Sequence, residues 1–338
     1  MNNITFIVTK SEVGGAQTWT NEMMKIAKRD NTVHLITSQN GWLTEQGNFD
    51  KLLILPELKK HFSLTGYLSL LKYIKKEKIS VMVASSANAG IYSRMAKIIC
   101  KFKSIYVSHG WSCIYNGGSL KSIFIKIEKY LSYLTDVVWC ISKSDASSAI
   151  DIIGIDAKKI VTLTNAVPVM TARNKPLNEN KIIFVGRLAH PKRPDLILSV
   201  VAKHPEIQLD IVGDGEQLEE LKKQYQGFVN IKFLGEIKSF SNYAEYDVFV
   251  LTSDSEGLPM SALEAHTAGV PLLLSDVGGC NELVKNNGLL VSNNENDVEC
   301  KLNKLLENYD YYLTQAQHDK GIFDLENYKC EYRKLILP

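Results

Sequence analysis

The sequence predicts two α/β domains in tandem, each a parallel sheet with helices on both faces. Three observations carry that prediction. The chain has 338 residues, long for one core and suited to two domains of ordinary size. Short apolar runs alternate with amphipathic segments over most of its length, the pattern of successive βα units. Between the halves, residues 167–180 (VPVMTARNKPLNEN) are polar, hold two prolines and show no apolar period, so they read as a linker.

Composition is that of a globular chain, 45% hydrophobic and 22% charged, with no low-complexity tract. The six cysteines (Cys100, Cys113, Cys140, Cys280, Cys300 and Cys330) are scattered, without CxxC spacing or a Cys/His cluster. A reducing cytoplasm and no structural zinc are therefore expected. The opening MNNITFIVTK lacks a basic segment followed by a long apolar core, so it reads as a first strand and not a signal peptide. No apolar run approaches the ~20 residues that cross a bilayer. Net charge is +2, unevenly spread: residues 1–170 carry 21 Lys and Arg against 12 Asp and Glu, the remainder 18 against 25. The basic excess gathers at Lys59, Lys60, Lys72, Lys75, Lys76, Lys78, Arg94, Lys97, Lys101 and Lys103. A solvated helix surface accounts for it, and so does attraction to an anionic membrane face or a phosphate-bearing acceptor. Nucleic acid is not expected as a partner, since no aromatic-rich basic motif accompanies the lysines.

Taken in order, residues 4–9 form the first strand, followed by a loop with Gly14-Gly15 and a helix over 16–28. Glycines between a parallel strand and a helix let a ligand approach the backbone. The dinucleotide spacing G-x-G-x-x-G is missing, and the second strand (32–37) ends in Ser38-Gln39 with no acid for a ribose. Further strands are expected over 51–55, 81–84, 105–107, 137–141 and 160–163, and helices over 64–76, 91–100 and 120–134. Ligands of parallel sheets sit beyond the carboxyl ends of the strands. That singles out His109 with Gly110, although a lone histidine there serves structure as readily as function. Ser142 and Asn165 also end strands and suit caps. The helix over 120–134 carries Ile123, Phe124, Ile127, Tyr130, Leu131 and Leu134, a stripe expected to face the core.

The βα series restarts with a strand over 181–185. It runs into Gly186-Arg187-Leu188, with Lys192 five residues after Arg187. A planar guanidinium fork and a mobile ammonium on one loop suit a diphosphate. Strands over 208–212 and 231–234 follow, separated by Gly213-Asp214-Gly215, where Asp214 is expected to cap a helix over 217–223. The run 247–251 is a buried strand. After a polar turn come Glu256-Gly257-Leu258-Pro259 and an Ala-rich helix stopping at Gly269, with Pro259 suited to the first helical position. Glu256 stands before that helix and Glu264 lies inside its second turn. A helix N-terminus offers N–H groups to an anion, and carboxylates accept hydrogen bonds from hydroxyls. Together they suit a ligand with both phosphates and hydroxyls, such as a nucleotide sugar. Taken alone, Glu256 also reads as a capping acid and Glu264 as a solvated one. A strand over 271–274, a second glycine pair (Gly278-Gly279) and helix from Asn294 to 337 complete the chain.

Gly14-Gly15-Ala16, His109-Gly110, Val185-Gly186-Arg187-Leu188 with Lys192, Gly213-Asp214-Gly215, and Glu256-Gly257-Leu258-Pro259 with Glu264 occur in this order. That succession resembles the family-4 retaining glycosyltransferases of GT-B fold. It spans nearly the whole chain, and Glu-x7-Glu together with Arg-x4-Lys is its specific part. Ala166 stands where the family often has glycine. The resemblance implies two Rossmann-like domains whose parallel sheets face each other across a cleft. Residues 1–166 would be the acceptor side, 167–180 the linker and 181–318 the nucleotide-sugar domain, with a helix in 319–338 crossing back to the first domain. It also implies that Arg187 and Lys192 neutralise the donor diphosphate, that Glu264 accepts from the ribose and that Glu256 holds the donor sugar. His109 would lie near that sugar. Gly14, Gly15, Gly186, Gly257, Leu258 and Pro259 would supply backbone and helix-end contacts to the donor. Cations and preorganised amides take the leaving-group charge in this reading, so no metal and no cofactor are expected. No protein nucleophile is assigned.

The implied function is transfer of a hexose from a UDP- or GDP-linked donor to a glycan or polyprenyl-diphosphate-linked acceptor, in bacterial O-antigen or capsule assembly. A cytoplasmic protein, held on the inner face of the membrane by its basic first half, fits that role. A nucleotide-sugar epimerase of the same fold and a catalytically silent partner subunit are the rival readings.

Overall fold

The computed structural model describes residues 2–115, 118–172 and 179–337. The middle of the expected linker, 173–178, lies outside the described residues. The chain divides into two compact units, one formed by Met1–Asn165 with Tyr328–Pro338 and the other by Ala166–Asn327.

The first unit is built on β1 (Asn3–Ile7), β2 (Thr32–Thr37), β3 (Lys51–Ile54), β4 (Val81–Ala84), β5 (Lys103–Ser108), β6 (Val137–Cys140) and β7 (Ile160–Thr162). All pair in parallel, in the order β3-β2-β1-β4-β5-β6-β7. The second unit holds β8 (Lys181–Val185), β9 (Gln208–Val212), β10 (Ile231–Gly235), β11 (Val248–Leu251), β12 (Leu272–Ser275) and β13 (Gly288–Val291). These are again parallel, in the order β10-β9-β8-β11-β12-β13. Helices on both faces require the central strands to be apolar on both sides. Accordingly Val81–Ala84 and Val248–Leu251 are buried at every position. The strand β13, GLLV, was not anticipated: it is short and at the sheet edge, and its Gly288 weakens the strand signal. The helix expected over 91–100 runs over Ala87–Ala96 instead, starting directly after Ser86.

One expectation holds only in part. In the helix Lys121–Tyr133 half of the stripe assigned to the core is turned outward. Ile123, Ile127 and Tyr130 are 54%, 40% and 68% exposed, whereas Leu131 is buried, Phe124 packs half-buried against the core and Leu134 is half-buried. The reason is a charge. Glu128 points inward and makes a bidentate pair with Arg94, Nη1 to Oε2 at 2.7 Å and Nη2 to Oε1 at 3.3 Å. Arg94 is fully buried, its guanidinium 4.0 Å above the ring of Tyr106 and its Nε donating to the Gly90 carbonyl at 2.8 Å. A buried guanidinium without its carboxylate costs several kcal/mol, about as much as burying two isoleucines returns. The ion pair therefore fixes the rotation of the helix, and Arg94 leaves the surface charge to which the sequence reading assigned it.

The helix Leu325–Ile336 closes the first unit. Tyr332 lies 5.3 Å from Trp139, centroid to centroid, and its hydroxyl donates to the Thr164 carbonyl at 2.5 Å. Lys103 Nζ donates to the Leu335 carbonyl at 3.0 Å, and Arg333 pairs with Asp30.

Candidate functional site

In each sheet the strand order reverses once, between β1 and β4 and between β8 and β11. Beyond the carboxyl ends at such a reversal the loops diverge and leave a crevice. In the second unit β8 runs into Gly186-Arg187-Leu188. The Gly186 amide donates to the Val212 carbonyl (3.0 Å) and the Leu188 amide to the Asp214 carbonyl (2.9 Å), so the 213–215 turn supports the cationic loop. A Cβ on Gly213 would be driven into the Gly186 carbonyl oxygen. Asp214 serves that turn, its Oδ1 accepting from the Gly215 amide at 2.7 Å. It does not cap the helix Leu218–Gln224, whose N-cap is Gln217: the turn uses the residues that would have brought its carboxylate to the helix end.

The loop after Leu188 is tied to the loop after β11. Arg193 N donates to the Thr252 carbonyl (2.9 Å), Asp254 N to the Pro191 carbonyl (2.8 Å), and Ser253 Oγ to the same Pro191 carbonyl (3.1 Å). These bonds bring Lys192 Nζ into an ion pair with Glu256 Oε1, both side chains largely shielded. Gly186 flanks the lysine stem, and a Cβ there would lie 3.7 Å from Lys192 Cε. Arg187 is exposed. The Glu256-Gly257 turn is supported from behind by the second glycine pair. Gly279 N donates to the Gly257 carbonyl at 2.8 Å. Gly278, at φ +54, lies so near the Glu256 carbonyl oxygen that any side chain would displace it. Leu258 is buried. Pro259 is the N-cap of the helix Met260–Thr267, one position earlier than expected, and its own side chain makes no capping hydrogen bond. A helix N-terminus with two cations on the adjoining loop favours an anion. Glu264, inside the helix, accepts from Tyr243 Oη at 2.6 Å. Burial first, and the Glu264 charge second, push the Tyr243 phenol well above its ordinary pKa, so it remains a donor.

In the first unit Gly14 and Gly15 follow β1, Gly14 as the N-cap of the helix Gly15–Lys28. His109 follows β5. Trp19, one turn into that helix, meets His109 edge to face at 5.1 Å. The turn carrying His109 is fixed by Asp145, which the sequence reading missed. Its Oδ2 accepts from the Gly110 amide (3.2 Å) and from Ser108 Oγ (3.4 Å), and its carbonyl accepts from Trp111 Nε1 (2.9 Å). A signal for Asp145 exists in Ser142-Lys143-Ser144-Asp145, a capping-box spacing, and Ser142 Oγ accepts from the Asp145 amide at 3.0 Å. Tyr243 had no such signal, lying 21 residues before Glu264.

Burial lowers His109 from 6.5 to about 4, so its imidazole is neutral at pH 7. Between those values the unfolded chain binds a proton that the folded chain does not. Stability that is fully present above pH 6.5 is therefore lost as pH falls toward 4. His109→Asn is expected to make that fall shallower in urea unfolding, leaving the shares of His266, likewise lowered to about 4 by burial, and of His34, also lowered chiefly by burial. An unchanged slope would show that His109 titrates normally.

Among the described residues no group of three or more His, Cys, Asp or Glu is placed to hold a metal ion. Among them, too, no helix is long and apolar enough to cross a membrane.

Comparison with known proteins falls on both units. Residues 13–170 match the family described as Glycosyltransferase Family 4, and residues 170–320 match Glycosyl transferases group 1. The chain is 55% identical over 337 residues to the O-antigen biosynthesis glycosyltransferase WbnH of Escherichia coli, covering all of both chains. It is 30% identical over 308 residues to the UDP-Gal:alpha-D-GlcNAc-diphosphoundecaprenol alpha-1,3-galactosyltransferase of Escherichia coli, covering 81% of this chain and 79% of that one. Among solved structures, the Anabaena protein HepE in complex with UDP and glucose superposes with a TM-score of 0.86 at 18% identity, over 98% of each chain. Sucrose-phosphate synthase of Thermosynechococcus elongatus gives 0.84 at 16% identity, over 99% of this chain and 98% of that one. The fold is GT-B.

Proposed function

The chain belongs to glycosyltransferase family 4, and from that premise we propose that it transfers a hexose, with retention, from a nucleoside diphosphate sugar to a lipid-linked glycan of O-antigen assembly. The observation that carries this reading is the Lys192–Glu256 ion pair at the turn before the helix Met260–Thr267, on the same loop as the exposed Arg187. Departure of the diphosphate builds negative charge, which Arg187, Lys192 and the helix end stabilise electrostatically. Donor entry exchanges the Lys192–Glu256 pair for a Lys192–phosphate contact and releases the Glu256 carboxylate to accept from sugar hydroxyls. Glu264, held by Tyr243, accepts from the ribose. The amides of Gly257 and Leu258, at the helix opened by Pro259, donate to the sugar. Gly14, Gly15 and Gly186 let the donor lie against backbone, and neutral His109 offers the sugar a hydrogen bond. The proposal uses no metal and no cofactor. A uridine donor is favoured by the relative named for UDP-galactose and by HepE, crystallised with UDP-glucose. The undecaprenol-linked acceptor in that first name favours work at the inner face of the membrane.

Calorimetry with UDP, GDP and their hexoses, followed by proton NMR of transfer to a short polyprenyl-diphosphate-linked sugar, tests the reading. An α-linked donor is expected to give an α-linked product. A β-linked product removes retention, conversion of donor without acceptor makes the chain an epimerase, and absence of donor binding makes it a silent subunit.

A further inference from the structure

We propose that the outer face of the helix Lys121–Tyr133 is the surface on which the first unit rests against an anionic lipid bilayer, its apolar row entering between the headgroups. The inference rests on the lipid-linked acceptor proposed above and names the face that meets the lipid.

Leu120, Ile123, Ile127 and Tyr130 recur at helical spacing and are 50%, 54%, 40% and 68% exposed. Single exposed apolar residues are ordinary, but four large ones in one row mark a contact surface. The Arg94–Glu128 pair holds this row outward, and in doing so hides the only acid of the helix. What remains beside the apolar row is Lys121, Lys126 and Lys129, all exposed. Lysines bordering an apolar stripe keep their stems in the acyl boundary and their ammonium groups at phosphate level, and tyrosine suits the same depth. The surface continues next door. His61 packs beside Phe124 at 6.3 Å, with Phe62 and Leu64 47% and 64% exposed and Lys59 and Lys60 exposed before them. A second copy of this chain is a poor occupant, because pairing like faces sets lysine rows against each other. An anionic headgroup layer matches both the charge and the apolar depth.

The test is co-sedimentation of the full chain with vesicles of phosphatidylcholine, alone or with added phosphatidylglycerol, at low and high salt. Wild type is expected to bind the anionic vesicles in a salt-sensitive way and the neutral ones weakly. The double variant Ile123→Ser/Ile127→Ser is expected to lose roughly tenfold or more in partitioning. Lys126→Gln and Lys129→Gln should each lose roughly fivefold at low salt. All these positions are exposed, and unchanged thermal melting shows that the fold is kept. Equal binding by variants and wild type, no binding by wild type, or equal binding to neutral vesicles overturns the proposal. So does self-association, in sedimentation velocity, that the double serine variant abolishes. UDP-hexose binding is measured by calorimetry on the same samples. A wild type that binds donor but not vesicles refutes this face alone, and one that binds vesicles but not donor refutes the transferase reading alone.

Discussion

Replacing Glu128 by alanine is expected to cost about 3–5 kcal/mol of stability. The variant strands the Arg94 guanidinium, 1% exposed, above Tyr106 with no counter-charge. Such a loss is a large part of what holds a domain folded, and it should appear as an early unfolding transition of the first unit in urea. The double variant Arg94→Met/Glu128→Leu removes both charges and fills a similar volume, so it should recover most of the loss. A loss below about 1 kcal/mol for Glu128→Ala would mean that water reaches the guanidinium. The pair would then have no hold on the rotation of the helix Lys121–Tyr133.

Glu264→Ala is expected to weaken UDP-hexose binding roughly a hundredfold, the scale of two hydrogen bonds to a charged acceptor. Tyr243→Phe keeps the carboxylate and loses only the hydroxyl that aims it, so a loss of roughly threefold to tenfold is expected. Both variants should discriminate less between ribose and 2′-deoxyribose donors than wild type does, an effect that general loosening of the fold would not produce. Calorimetry with the two donors reads it directly. Unchanged affinity in Glu264→Ala would remove the ribose contact from the proposal.

The sheets were legible because burial on both faces forces unbroken apolar runs: Val81–Ala84, Lys181–Val185 and Gln208–Val212 have the bounds expected from the sequence. The grouping of Lys192 with Glu256 was legible only as two motifs, since the bonds from Thr252, Ser253 and Asp254 that join them are made by backbone and hydroxyls with no spacing rule. The helix Lys121–Tyr133 was misread in part, because apolar periodicity reports which residues share a face, not how far the face turns. That was decided by a partner 34 residues away. Asp214 was misread for a related reason: a turn and a cap ask for the same residue type, and only the backbone path separates them.

The path of the chain through the two units has a consequence for its synthesis. The first unit needs Tyr328–Pro338 to be whole, yet all of Ala166–Asn327 is made before that segment. At about 5–20 residues per second, the stretch between takes roughly 8–30 s to translate. For that interval the ring of Trp139 and the Thr164 carbonyl await Tyr332, and the Lys103 amine awaits the carbonyls near Leu335. The second unit has all its residues by then. The nascent chain can thus finish its later half first, and the earlier half, begun at the N-terminus, is sealed last.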